Sequence, residues 1–345
     1  MFPMMMESPK LLISFFFLFS IFIAGQNARG GVNASARLQQ QSLKDKKQAF
    51  QAKKLFVFGD SYADTGNSEY EAASWKQPYG ITYPGHPSGR YSDGRLLTDF
   101  LAKFYGLETP TAYRFIKDKD DPHLQYGVNF AYGGTGAFAT GEGYPNLADQ
   151  IDLLNKYLKD SVINKSDLET SLSFLSVNGN DYTAYYHQNG TTEGLPSYIF
   201  SVVEKIAKNM ESLHELGARK IAVSGMPPQD CIPEFAQSVT ECNEILNIFV
   251  SLHNFFLKNA VSRLNTESGD SSYHILDLNS AFKTVFNSST RNESRCGNVD
   301  SKGQPLYKVC NDRKSAFYWD EIHPTQAGWR AAYDQALKHA LEEIN

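Results

Sequence analysis

The chain of 345 residues is long enough for one large or two average domains, and its 41% hydrophobic content supplies a sizeable core. The formal net charge is -5 and there is no long basic run, so the chain has nothing with which to hold a phosphate backbone. That excludes nucleic acid as a partner.

Lys10 precedes an apolar run from Leu11 to Ala24, followed by the small and polar residues Gly25, Gln26, Asn27 and Ala28. This reads as a secretory signal peptide over residues 1–25, cleaved near Gly25 or Ala28. The competing reading is an uncleaved anchor, for which the run falls short of the about 20 apolar residues that a span wants. Residues 26–52 are polar, with Gln-rich and Lys-rich runs, and read as a flexible leader. No later stretch is apolar enough to cross a bilayer, and no Pro/Ser linker divides residues 53–345, which are read as one domain.

That domain opens with a four-residue apolar strand, Leu55 to Phe58, broken by Gly59 and Asp60 with Ser61 in the break. A long aromatic and Gly/Pro-rich loop, Trp75 to Gly94, follows. Leu97, Phe100, Leu101 and Phe104 predict a helix over 96–105 that stops at Gly106. A second strand, Gly127 to Ala131, runs into Gly133-Gly-Thr-Gly136, and a helix is expected over 147–158. Ser173 to Val177 is a third strand, ending in a turn at Asn178-Gly-Asn-Asp181. Ile199, Val202, Ile206, Met210, Leu213 and Leu216 mark one face of a helix that Gly217 ends. Ile221 to Val223 is a fourth strand and Tyr273 to Leu276 a fifth, with a long helix over 240–264 between them. Residues 282–314 read as a Cys-containing excursion, and 324–341 as a terminal helix with Pro324 near its first turn. Short apolar strands alternating with amphipathic helices predict an α/β fold, a parallel sheet of about five strands covered on both faces.

Secretion bears on the cysteines, Cys231, Cys242, Cys296 and Cys310, whose even number suits an oxidising compartment. Three pairings are possible. Cys231 with Cys242 and Cys296 with Cys310 is preferred, since each closes a short polar loop. A zinc site would want Cys-x-x-Cys or clustered His spacing, and neither occurs. Asn33, Asn164, Asn189, Asn287 and Asn292 head Asn-x-Ser/Thr sequons and are candidate glycan sites.

Three strand ends carry polar groups: Ser61, the glycines Gly133, Gly134 and Gly136, and Asn180-Asp181. A fourth group, Trp319-Asp-Glu-Ile-His323-Pro324, precedes the terminal helix. In a parallel sheet such ends share one edge, where ligands bind. Acyl transfer at a serine needs a hydroxyl, a base, a group to orient the base, and donors for the oxyanion. Ser61 offers the hydroxyl, His323 the imidazole, and Asp320, on the same tight turn, a partner for the other ring nitrogen. The backbone N–H groups of Ser61 and Gly134 and the amide of Asn180 are the candidate oxyanion donors. A dinucleotide loop is discounted, because Gly134-x-Gly136-x-x-Ala139 follows the second strand and leads into more Gly and Pro. A Gly-x-Ser-x-Gly elbow is absent, since position 63 is Ala. Asp118, Asp120 and Asp121 lack the glycine and terminal Glu of a calcium loop and read as a solvated turn.

Gly59-Asp-Ser-Tyr-Ala-Asp-Thr-Gly-Asn67, Asn129-Phe-Ala-Tyr-Gly-Gly-Thr-Gly136, Asn180-Asp181 and Asp320-Glu-Ile-His323-Pro324 stand in the order and spacing of the plant GDSL esterase/lipases, part of the SGNH hydrolases. The chain also resembles that family at Gly89-Arg-Tyr-Ser-Asp-Gly-Arg95 and from Leu216 to Pro228. The resemblance implies a flavodoxin-like three-layer α/β/α sandwich. It implies a carboxylic ester hydrolase with Ser61 as nucleophile, His323 as base, Asp320 orienting it, and Gly134 and Asn180 as oxyanion donors. No metal and no organic cofactor is implied. Tyr62 stands where the family has Leu, and Asn178 where it has Gly; Asn tolerates the left-handed region, so the turn is expected to survive there. Gly136 is the alternative to Gly134 if the register is shifted by the extra glycine. The expected substrate is a lipid or small acyl ester. An acetylated cell-wall polysaccharide, with the aromatic loop packed on sugar rings, is the alternative, and acyl transfer to an alcohol uses the same residues. A secreted binding protein that keeps the fold is the non-enzyme alternative. The expected state is a monomer, secreted to the wall or apoplast, with the vacuole as the other address.

Overall fold

The computed structural model describes residues 50–229, 244–288, 296–297, 299–300, 302, 304, 306 and 309–344. The stretch read as a signal peptide, most of that read as a leader, Asn33, Asn292, Cys231 and Cys242 lie outside the described residues. Six strands are described: β1 (Leu55–Gly59), β2 (Thr111–Ala112), β3 (Gly127–Asn129), β4 (Leu172–Ser176), β5 (Lys220–Ser224) and β6 (Tyr273–Leu276). They form one sheet in the order β2-β3-β1-β4-β5-β6, every pairing parallel. Five are the expected strands, and β2 adds a two-residue edge.

The helices are α1 (Leu97–Phe104), α2 (Leu147–Lys159), α3 (Lys165–Glu169), α4 (Asn180–His187), α5 (Leu195–Leu216), α6 (Glu244–Ser268), α7 (Leu278–Ser288) and α8 (Gln326–Ala332). The last continues through a π-helical turn, Tyr333–Leu337, into α9 (Lys338–Ile344). Successive strand residues point to opposite faces, and β1 shows what this does. Leu55 and Val57 pack with Phe100, Phe282 and Trp329 of α1, α7 and α8. Phe56 and Phe58 pack with Ile151, Val202, Met210 and Leu257 of α2, α5 and α6. Both sets are sealed, so the molecule has three layers, and the strand had to read as an unbroken apolar run rather than an alternation.

Four expectations need correction. The turn at Asn180-Asp181 is the first turn of α4, and the left-handed residue is Gly179 (φ 112°), not Asn178. Residues 282–288 are the end of α7 rather than part of an excursion. Of the helix expected over 240–264, the described part runs from Glu244 to Ser268. Pro324 lies before the terminal helix, whose cap is Thr325, accepting from the Gly328 N–H at 2.9 Å.

In chain order the sheet grows from β1 to one side through β2 and β3, then to the other through β4, β5 and β6. β1 and β4 therefore flank the switch point, the crevice where open α/β sheets bind ligands. Ser61 follows β1 and Asn180 follows β4.

Candidate active site

Gly59 ends β1 in a conformation open to glycine (φ 132°), and a Cβ there would lie 1.9 Å from the Ser176 carbonyl oxygen of β4. This close approach turns the chain sharply and leaves Ser61 at the sheet edge. Asp60 holds the turn. Its buried carboxylate accepts from the Tyr62 N–H (3.0 Å) and from the Asn178 N–H (2.6 Å), joining the loops after β1 and β4. Burial pushes its carboxyl up to about 6 against those two donors.

Ser61 Oγ lies 2.8 Å from His323 Nε2, although the residues are 262 positions apart. His323 Nδ1 lies 2.9 and 2.8 Å from the two oxygens of Asp320. All three side chains are buried. Burial alone would raise the Asp320 carboxyl, but the His323 ring and the Ile322 and His323 N–H groups outweigh it and hold the carboxyl below its usual range. An ionised carboxylate only accepts, so Nδ1 donates to it. In the neutral ring Nε2 then accepts from the Ser61 hydroxyl.

Asp320 has a further donor that sequence reasoning missed. The hydroxyl of buried Tyr79 reaches Oδ2 at 2.7 Å from inside the aromatic loop. Tyr91 from the same loop lies over the His323 ring, centroids 5.0 Å apart. Trp75 packs between Tyr70 and Phe115 and donates its indole N–H to the Ser68 carbonyl. These aromatics, a sugar platform only under the polysaccharide alternative, make these contacts with protein groups. Tyr62, on the other side, meets His323 and Trp329 edge-on and donates its hydroxyl to the Ile322 carbonyl at 2.7 Å. A Leu there would pack but would not tie the serine turn to the histidine turn.

The glycine loop is fastened by the first turn of α4. Asn180 Nδ2 donates to the Thr135 carbonyl at 2.9 Å, while the Asp181 carboxylate accepts from the Ala137 and Phe138 N–H groups at 2.8 and 2.9 Å. Gln150 of α2 bonds both the N–H and the carbonyl of Gly59 and reaches Thr135 Oγ1. Among the described residues, neither the Ser61 N–H nor the Gly134 N–H has a protein acceptor. One proton of the Asn180 amide is committed to Thr135, and the other has no described protein acceptor.

Asp118 and Asp121 accept from backbone N–H groups of their own turn, as expected. Cys296 is bonded to Cys310. The Asn164, Asn189 and Asn287 side chains are at the surface.

Residues 55–336 match the family model described as GDSL-like Lipase/Acylhydrolase. The chain is 42% identical to the GDSL esterase/lipase At5g03610 of Arabidopsis thaliana, covering 96% of this chain and 97% of that protein. It is 40% identical to At3g09930 of the same plant, covering 97% and 98%. Among solved structures, a catalytic mutant of the acetylxylan esterase Axe2 from Geobacillus stearothermophilus aligns with a TM-score of 0.43 at 14% identity, over 85% of this chain and 94% of that one.

Proposed function

Because this chain belongs to the GDSL-like lipase/acylhydrolase family of the plant esterase/lipase type and is a carboxylic ester hydrolase, we propose that it works through an acyl-enzyme on Ser61. The observation that carries the reading is the run of short contacts from Ser61 Oγ through the His323 ring to Asp320. His323 Nε2 takes the hydroxyl proton as Oγ bonds to the ester carbonyl carbon. The carbonyl oxygen, now negative, is held by the Ser61 and Gly134 N–H groups and by Asn180. Asp320 stabilises the imidazolium and stays ionised. The proton then goes to the departing alcohol, the carbonyl re-forms, and Ser61 carries the acyl group. Water, activated by the same imidazole, attacks the acyl-enzyme, and the acid leaves with Ser61 restored.

The chain acts outside the cytosol as a monomer, after removal of residues 1–25, with residues 26–52 as a leader ahead of the catalytic domain. The sequence pattern at its start supports this, as do the Cys296–Cys310 bond and the three surface sequons. The test is Ser61→Ala. Turnover of a short p-nitrophenyl ester is expected to fall by roughly 10⁴-fold or more, and covalent labelling by a fluorophosphonate to vanish. Undiminished turnover in the pure, folded variant would refute the acyl-enzyme.

A further inference from the structure

A cavity of about 330 Å³ opens beside Ser61, between α4, α5 and α6. Its polar lining comes from Ser61, Asn178, Asn180, Thr183, His187 and Gln229. Its walls are Tyr182 of α4, Leu195 and Ile199 of α5, Met226 after β5, and Phe249 and Val250 of α6. Leu195, Ile199, Met226 and Val250 are each no more than 3% exposed, so these are core side chains facing an internal space. Tyr182 gives the cavity its ring, because its hydroxyl is committed to Nδ1 of buried His253 at 2.6 Å.

The position of the cavity assigns it to one half of an ester. The alcohol oxygen must collect its proton from His323 Nε2, so the alcohol lies on the imidazole side of the scissile bond. His323 does not line the cavity, whereas the nucleophile and an oxyanion donor do. The space therefore receives the acyl side.

Resting on the acyl-enzyme reading, we infer that this enzyme selects esters of medium-length fatty acids, with the acyl chain seated in the α4/α5/α6 cavity. A space of about 330 Å³ is many times the ~10–15 Å³ needed to hold one water, so it has room for an acyl chain of medium length. An acetyl group leaves most of it empty. Each methylene moved from water into such walls is worth about fourfold in kcat/KM.

The test uses the secreted protein with p-nitrophenyl esters from acetyl to palmitoyl, in parallel with fluorophosphonate labelling of Ser61. kcat/KM is expected to rise by roughly 10³-fold from acetyl to octanoyl and to fall beyond dodecanoyl. A labelled enzyme with a flat or acetyl-favouring profile overturns the inference and points to acetylated polysaccharide instead. Val250→Phe, which fills the cavity, is expected to lower the octanoyl-to-acetyl ratio by about tenfold or more; a labelled variant with an unchanged ratio also overturns it. If Val250→Phe does not fold, Phe249→Ala decides by widening the space: its optimum moves to longer chains, or the cavity is not the acyl site. Loss of labelling in wild type, with turnover surviving in Ser61→Ala, would instead defeat the acyl-enzyme and this inference with it.

Discussion

The Asp320 carboxylate draws its partners from two ranges. Three donors come from its own turn, the N–H groups of Ile322 and His323 and the His323 ring; the fourth, Tyr79, comes from 241 residues earlier. The local set was legible in Asp320-Glu-Ile-His323, because three residues of a tight turn suffice to bring the side chains together. Tyr79 was not, since nothing in an aromatic, Pro-rich loop says which ring turns inward. The phenol hydroxyl holds the Asp320 carboxylate in the orientation that faces His323 Nδ1, so its removal loosens that orientation. Tyr79→Phe is therefore expected to lower kcat by about tenfold, the worth of one charge-assisted hydrogen bond, with KM little changed. Steady-state kinetics of the pure, folded variant check this, and an unchanged kcat would leave Tyr79 with a packing role alone.

At the scale of elements, the site is a set of strand-to-helix turns fastened to one another. Asn178-Gly-Asn-Asp181 consists of turn formers, and the stretch Asn180–His187 is poor in strong helix formers, so α4 is not legible in the sequence. The helix exists because Gly179 sets its entry and Asp181 grips the glycine loop. That grip holds Asn180 beside Thr135, so the missed element is also the one that positions the candidate oxyanion donor. The β1 end depends on the absence of a side chain at Gly59. In Gly59→Ala the new methyl meets the Ser176 carbonyl at 1.9 Å, and the strands must part or the turn must change. The expected cost is more than about 3 kcal/mol. Denaturant titration measures it, and a loss below about 1 kcal/mol would show that the turn relaxes freely.

At the scale of the molecule, burying carboxylates under the sheet edge makes stability depend on pH. Asp60, Asp64 and Asp181 are each raised by burial, Asp60 to about 6 from 3.8. Between those two values the folded state binds the proton that the unfolded state has released. The stability from Asp60 is fully present below pH 3.8 and is lost as pH rises through about 6. At 1.36 kcal/mol per unit the loss is about 3 kcal/mol. Asp320, lowered rather than raised, works in the opposite sense: its contribution is present above the ordinary carboxylate value of 3.8 and is lost as pH falls from there through its lower folded value. Thermal midpoints of wild type and Asp60→Asn across pH 4 to 7 should therefore diverge in slope, wild type losing more as pH rises; parallel curves would remove Asp60 as a source. The sequence alone determined the parallel α/β class, the strand that ends at Ser61 and the Asp320–His323 turn, because apolar runs, periodicity and a three-residue spacing act over short stretches of chain. Only the tertiary structure decided that Ser61 meets His323, that Tyr79 backs Asp320, and that a cavity adjoins Ser61. Those contacts join residues far apart in the chain, and the packing of sheet and helices is what brings them together.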